Sequence, residues 1–146
     1  MSQWYDSYVN FPCNHLGQDP DTGIDCFNLC KFFFKNELDI EIPYSSHDFC
    51  KIVDVDWCNK TNRQLFLEAS NNGDWIEIQK LKPFDIILMS IGSTNIVNHC
   101  ALYVGDNKIL QTIEQRPSAV YNYHRYYQQY TVKKVRWKSL HDLKTT

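Results

Sequence analysis

The hydrophobic period of this chain changes once, and that change limits the folds open to it. From Asp25 onward, Cys26, Leu29, Cys30, Phe33 and Phe34 recur at spacings of three and four, the period of one helix face. Asp25 is placed as the N-cap, its carboxylate accepting from a first-turn N–H that has no partner inside the helix. Pro43 closes this region. A second helix is expected to start at Ser45 or Ser46 and run towards Arg63 on a rough stripe of Phe49, Ile52, Val53 and Trp57. Residues Gln64–Ala69 either continue it or loop towards the turn signal Asn71-Asn72-Gly73. Beyond that turn the pattern is that of strands. Trp75–Ile78 alternates, Ile86–Met89 is a short buried run, and Thr131–Trp137 is rich in β-branched residues. His99–Val104, the turn Gly105-Asp106-Asn107 and Lys108–Ile113 read as a hairpin. Helices followed by an antiparallel sheet define an α+β class.

With 146 residues and no internal repeat, low-complexity tract or linker, residues 1–146 are expected to form a single domain around one core. Residues 10–25 are dense in turn formers and read as an irregular lead-in. A formal charge of -2 gives no electrostatic case for nucleic acid or an anionic membrane. The opening Met1-Ser2-Gln3-Trp4-Tyr5-Asp6 carries neither a basic region nor an apolar run, so no secretory signal is expected. No stretch approaches the length of a membrane span. The expectation is a chain that stays in the cytosol or leaves by another route, such as incorporation into a larger particle.

Cysteines stand at 13, 26, 30, 50, 58 and 100. Without a signal peptide they are expected to be free thiols, and no Cys-x-x-Cys or His-x3–5-His spacing suggests a metal. No cofactor is expected. Most of these cysteines read as small buried hydrophobes, but Cys26 falls in the first turn of the first helix, where free N–H groups and partial positive charge stabilise a thiolate. The same N–H groups suit an oxyanion. A nucleophilic thiol also needs an imidazole and a group to orient that imidazole. His99 begins an apolar strand, and Gln111 lies on the partner strand of the hairpin, so the two side chains can pair across the sheet. Cys26, His99 and Gln111 would then form a papain-like catalytic set. On the residues alone, a buried and satisfied His99 is an equally open reading.

At these residues the sequence resembles the NlpC-type cell-wall peptidases, and most of all their phage branch of tail-tip and tail-assembly proteins. The nucleophile segment reads Gly23-Ile24-Asp25-Cys26-Phe27-Asn28-Leu29, preceded by Leu16-Gly17-Gln18-Asp19-Pro20-Asp21-Thr22-Gly23. Leu81-Lys82-Pro83-Phe84-Asp85-Ile86-Ile87-Leu88-Met89 is similar to the family's strand entry, and Asn98-His99-Cys100-Ala101-Leu102-Tyr103-Val104-Gly105-Asp106 to its histidine strand. Ile109-Leu110-Gln111, Arg116-Pro117-Ser118, Tyr121 and Val135-Arg136-Trp137 extend the likeness over roughly residues 8–138. The resemblance implies a papain-like NlpC-type fold with N-terminal helices packed on a mainly antiparallel sheet. It implies hydrolysis of a peptide amide in the stem of peptidoglycan, such as the bond after D-glutamate. It also implies a phage tail tip as the location, after synthesis in the host cytoplasm, and other tail-tip proteins as partners. By the same resemblance, Asp25 is a candidate for holding the free amine of the stem peptide, besides capping the helix. Tyr8 resembles an aromatic residue that lies near the nucleophile; its other reading is a core or rim tyrosine.

Three positions depart from the family pattern. Gln111 stands where His is usual and brings no charge. Phe27 replaces the small residue common in bacterial members, and Phe84 replaces a Gly before Asp85. Gln111 keeps open an alternative function, a structural tail-tip or assembly protein with little or no activity. An acyltransferase on lipid is disfavoured, because there the catalytic His precedes the Cys in sequence.

Other residues read more plainly. Cys30 and Cys100 are expected in the core, Cys100 on the strand face opposite His99. His15, His47, His124 and His141 read as surface or loop residues. The stretch Tyr121–Tyr130 holds five tyrosines. It either stacks on sugar rings or a neighbouring subunit, or covers one edge of the sheet.

Overall fold

Helix α1 (Cys26–Leu38) starts where sequence places it, because the Asp25 carboxylate accepts the Asn28 N–H at 2.7 Å. It stops at Asp39, whose φ of 52° is the left-handed conformation that ends helices. The buried face carries Phe27, Leu29, Cys30, Phe33 and Phe34. Leu29, Phe33 and Phe34 are fully buried, each side chain contributing about 1.5–3 kcal/mol by leaving water. Truncation of Phe33 to Ala in such a core costs about 3–5 kcal/mol.

The computed structural model describes residues 3–49, 64–71, 73–92, 96–113 and 116–143. In the lead-in, β1 (Gln18–Asp19) and β2 (Gly23–Ile24) form a short antiparallel ribbon, so this segment is more ordered than its turn-rich composition suggests. The expected second helix is described only as α2 (Ser46–Phe49); its continuation towards Arg63 lies outside the described residues. Leu65–Ser70 is helical, α3.

The main sheet contains β3 (Trp75–Glu77), β4 (Ile86–Met89), β5 (His99–Gly105), β6 (Lys108–Gln111), β7 (Ala119–Asn122) and β8 (Thr131–Trp137). Their order is β3-β8-β4-β5-β6-β7, with every pair antiparallel. The continuous apolar run of β4 follows from burial on both faces. Ile86 and Leu88 face α1 together with Cys100 and Leu102, whereas Ile87 and Met89 join Ala101, Ile109 and Tyr123 on the other face. Helix α4 (Arg125–Gln129) and the residues around it cover that second face: Tyr121, Tyr127 and Tyr130 pack on it, and the Tyr123 hydroxyl meets Thr131 Oγ1 at 2.6 Å. Most of the tyrosine-rich stretch therefore covers the sheet, while Tyr126 stays 46% exposed. Helix α5 (Lys138–Leu143) follows β8. No helix among the described residues is long and apolar enough to cross a membrane.

Two turns set the strands that matter for the site. Asp106 and Asn107 both have positive φ, 52° and 60°, so the β5–β6 hairpin closes through a two-residue turn of the kind that matches strand twist. At the entry to β4, Phe84 has φ 81°, the conformation that glycine adopts freely. The turn is thus kept without glycine, and the Phe84 ring packs against Trp4 and Phe33 with centroids 5.5 and 5.7 Å away. Next to it, Asp85 accepts from Arg136 Nε at 2.7 Å and from a second guanidinium nitrogen at 2.8 Å. This buried fork ties the start of β4 to β8 and gives Asp85 a structural task.

Candidate active site

Helix α1 packs against β5, and this packing brings Cys26 to the start of the histidine strand. Cys26 is partly exposed in the first turn. The Cys100 thiol and backbone N–H and the His99 ring lie near enough to favour its thiolate. His99 opens β5 and is 9% exposed. Its Nε2 lies 2.7 Å from Gln111 Oε1, which leaves Nδ1 for Cys26. The oxygen of the amide must face the ring, because a charged imidazole has an N–H at both nitrogens. The structure thus brings Cys26, His99 and Gln111 together in the order thiol, imidazole, amide.

Electrostatics favour a thiolate–imidazolium pair. The bond with Cys100 lowers the Cys26 pKa; burial opposes it, and the bond and charge of His99 add to the lowering, so the net direction is well below the ordinary thiol range. For His99, burial disfavours the charged ring, but the bond to Cys26, its negative charge and the Gln111 bond outweigh this and the pKa rises. A thiol lowered beside a base raised is the pattern of an activated nucleophile.

Gln111 is wholly buried. Its Nε2 has no hydrogen-bond partner of normal geometry among the described residues, although the Tyr127 phenol lies beside the amide and responds to it electrostatically. His99 also lines a cleft of about 300 Å3 with Ile91, Asn98, Ile113, Tyr126 and Tyr127. Asn98 closes the loop before β5 by holding both the N–H and the C=O of Ile91, at 2.9 and 3.0 Å.

Asp25 sits beside Cys26, but both its oxygens are engaged, one by the Asn28 N–H and one by the Ser46 hydroxyl. Burial, and then the negative charge of Cys26, push its pKa up to about 7. Tyr8 is not brought to this group. It is 3% exposed, packs on Phe11, Phe32 and Phe33, and donates to Glu37 at 2.7 Å near the far end of α1. At a rise of about 1.5 Å per residue, that lies roughly 16 Å along the axis from Cys26. Its surroundings are those of a core tyrosine.

Sequence reasoning missed several supporting residues. Asn28 is buried and donates to Gly17 O and Ser46 Oγ, both at 2.9 Å, so it fastens the lead-in and α2 to the first turn of α1. The signal was present as a polar residue three positions after the cap. Cys100 was read as core because it faces away from His99 on the strand. That face is the one α1 covers, however, and Cys26 arrives with α1. Among the described residues, no group of His, Cys, Asp and Glu side chains is arranged to hold a metal.

A cysteine at a helix start, an imidazole on the facing strand and an amide on the next have the arrangement of a papain-like thiol site in an α+β fold. The chain belongs to the NlpC/P60 family, whose sequence profile matches residues 12–136. Among solved structures it is similar to the NlpC/p60 domain of the peptidoglycan hydrolase SagA, with TM-score 0.55, 16% identity and coverage of 89% of this chain and 90% of that one. It is also similar to an NlpC/P60 family protein from Bacillus cereus, with TM-score 0.59, 18% identity and coverage of 88% and 36%. A lipoprotein-like NLP/P60 family protein from Staphylococcus aureus gives TM-score 0.56, 19% identity and coverage of 90% and 38%. The chain spans little more than a third of the length of these last two proteins. No curated protein sequence matches it.

Proposed function

We propose that the protein is a cysteine peptidase or amidase that cuts amides in the stem peptides of peptidoglycan. The observation that carries this reading is the Cys26–His99–Gln111 array, with its thiol pKa lowered and its imidazole pKa raised. Cys26 attacks the carbonyl carbon, and first-turn N–H groups of α1 stabilise the developing oxyanion. His99 gives its proton to the departing amine, then takes one from the water that opens the thioester. Gln111 holds the ring during both transfers. Family membership supports peptidoglycan as the substrate class. A phage tail tip as the setting, with other tail-tip proteins as partners, is supported by the sequence resemblance to that branch.

The test is peptide release from purified peptidoglycan, followed by mass spectrometry, for wild type and Cys26→Ala. Release by wild type alone is expected; equal release by both refutes the reading. A second reading, a structural tail-tip protein, draws on the uncharged Gln111 and on exposed Trp4, Tyr126 and Val132. It requires particles carrying Cys26→Ala to assemble and infect normally, whereas the hydrolase reading requires normal assembly with poor infection.

A further inference from the structure

Three thiols meet beneath the site, and hydrolysis uses one of them. Cys30 lies one helical turn after Cys26 and is 1% exposed; Cys100, on β5, has no exposure. The packing of α1 on β5 places Cys30 and Cys100 in one core cluster, with Cys26 packed against it. Cys100 lies next to both Cys26 and Cys30, close enough for their sulfurs to affect its ionisation. Packing alone does not require sulfur there, since a small aliphatic side chain fills such a space. The arrangement is graded: residue Cys26 is partly exposed, whereas Cys100 has no exposure.

We propose that Cys26 and Cys100 form a peroxide-responsive thiol pair, in which oxidised Cys26 is captured by Cys100 as a reversible disulfide. In the first step the Cys26 thiolate attacks one oxygen of hydrogen peroxide and the O–O bond breaks. Cys26 becomes a sulfenic acid, oxidised by two electrons, and the departing hydroxide takes the His99 proton to become water. In the second step the Cys100 sulfur attacks Cys26 Sγ, the S–O bond breaks, and the leaving hydroxide combines with the Cys100 proton as a second water. The sum is two thiols and one peroxide giving one disulfide and two waters. Burial, then contact with Cys26 and Cys30, raises the Cys100 pKa, and the Cys26 charge contributes to this. Cys100 therefore stays protonated while Cys26 is a thiolate and becomes easier to ionise once Cys26 is neutral sulfenic acid. The bridge blocks the nucleophile, spares it from irreversible over-oxidation, and is opened by an external thiol.

The inference concerns the same Cys26 as the proposed hydrolase, but its readout is covalent state and needs no substrate. Reduced full-length protein is titrated with hydrogen peroxide, quenched with an alkylating agent, and digested without reduction for mass spectrometry. The expected product is a linked pair of peptides containing Cys26 and Cys100, lighter by two hydrogens and restored by dithiothreitol. In Cys100→Val the same treatment is expected to add two or three oxygens to Cys26, and dithiothreitol does not remove them. Wild-type Cys26 that over-oxidises without a bridge, or that bridges to another cysteine, overturns the proposal whatever the variant does. A Cys26–Cys100 bridge in a protein that releases no peptide leaves the thiol pair standing and removes the hydrolase reading. Peptide release without a bridge does the reverse.

Discussion

Replacing Gln111 by Leu separates what this residue does for chemistry from what it does for folding. Gln111 Oε1 accepts from His99 Nε2 at 2.7 Å in a site where Gln111 has no exposure and His99 only 9%. Water cannot readily take the place of the lost acceptor. A hydrogen bond to a charged group is worth about 1.5–3 kcal/mol. At about 1.4 kcal/mol per tenfold, the thiolate–imidazolium form should become roughly 10- to 100-fold less populated at a given pH, so the Cys26 pKa moves up. Folding stability should move much less. The buried Gln111 Nε2 lacks a good partner, and an unsatisfied group of this kind costs about 1–3 kcal/mol, which Leu removes. The assay is the rate of Cys26 alkylation by iodoacetamide against pH, with thermal unfolding as the control. Gln111→Glu keeps an acceptor beside the imidazolium and adds charge, so its thiol pKa should not rise. An unchanged pH profile in folded Gln111→Leu would show that Gln111 does not support the imidazole.

Other perturbations probe the frame around this array. The Asp25 pKa is raised from 3.8 to about 7, so the folded state holds a proton that the unfolded chain releases first. Stability present below about pH 4 is therefore lost as pH rises through about 7, and Asp25→Asn should gain stability relative to wild type across that window, as denaturant titrations at pH 4 and 8 would show. Removing the adjacent carboxylate should also lower the Cys26 pKa, since the two negative charges repel. Asp85→Ala leaves Arg136 buried without its partner and should cost about 3–5 kcal/mol in chemical denaturation. A Cβ at Gly17 would lie 2.2 Å from Gly23 O, so Gly17→Ala should cost about 1–3 kcal/mol and slow Cys26 alkylation. The slowing follows because Gly17 O accepts from Asp25 N–H and Asn28 Nδ2.

Much of the frame was legible because local and tertiary preferences agree. The Asp25 cap, the apolar stripe of α1, the run Ile86–Met89 and the strand Thr131–Trp137 appear at or near their expected bounds. Cys26, His99 and Gln111 were identifiable because each sits at a place that periodicity marks: a helix start, a strand start, and the return strand of a tight hairpin. What was not legible depended on packing between elements. Alternation along β5 sends Cys100 away from His99, yet nothing in that period says that the covering helix carries Cys26 on the same face. Tyr8, for which a core or rim role was the other reading, is placed by packing as well. A motif-like position suggested the site, while the Glu37 carboxylate, which accepts from the Tyr8 hydroxyl, and the surrounding phenylalanines hold the ring in the core. The β1–β2 ribbon escaped notice because strands this short have little period to read.

The most direct test of the Cys26 nucleophile is to catch its covalent intermediate. Wild-type protein and Cys26→Ala are mixed with a soluble stem-peptide fragment, quenched in acid within the first turnover, and analysed by intact mass and peptide mapping. The structure predicts a thioester on Cys26 whose mass equals the acyl half of the fragment and identifies the bond cut, with no adduct or product in Cys26→Ala. Cleavage that proceeds equally in Cys26→Ala would contradict the nucleophile and the account built on it.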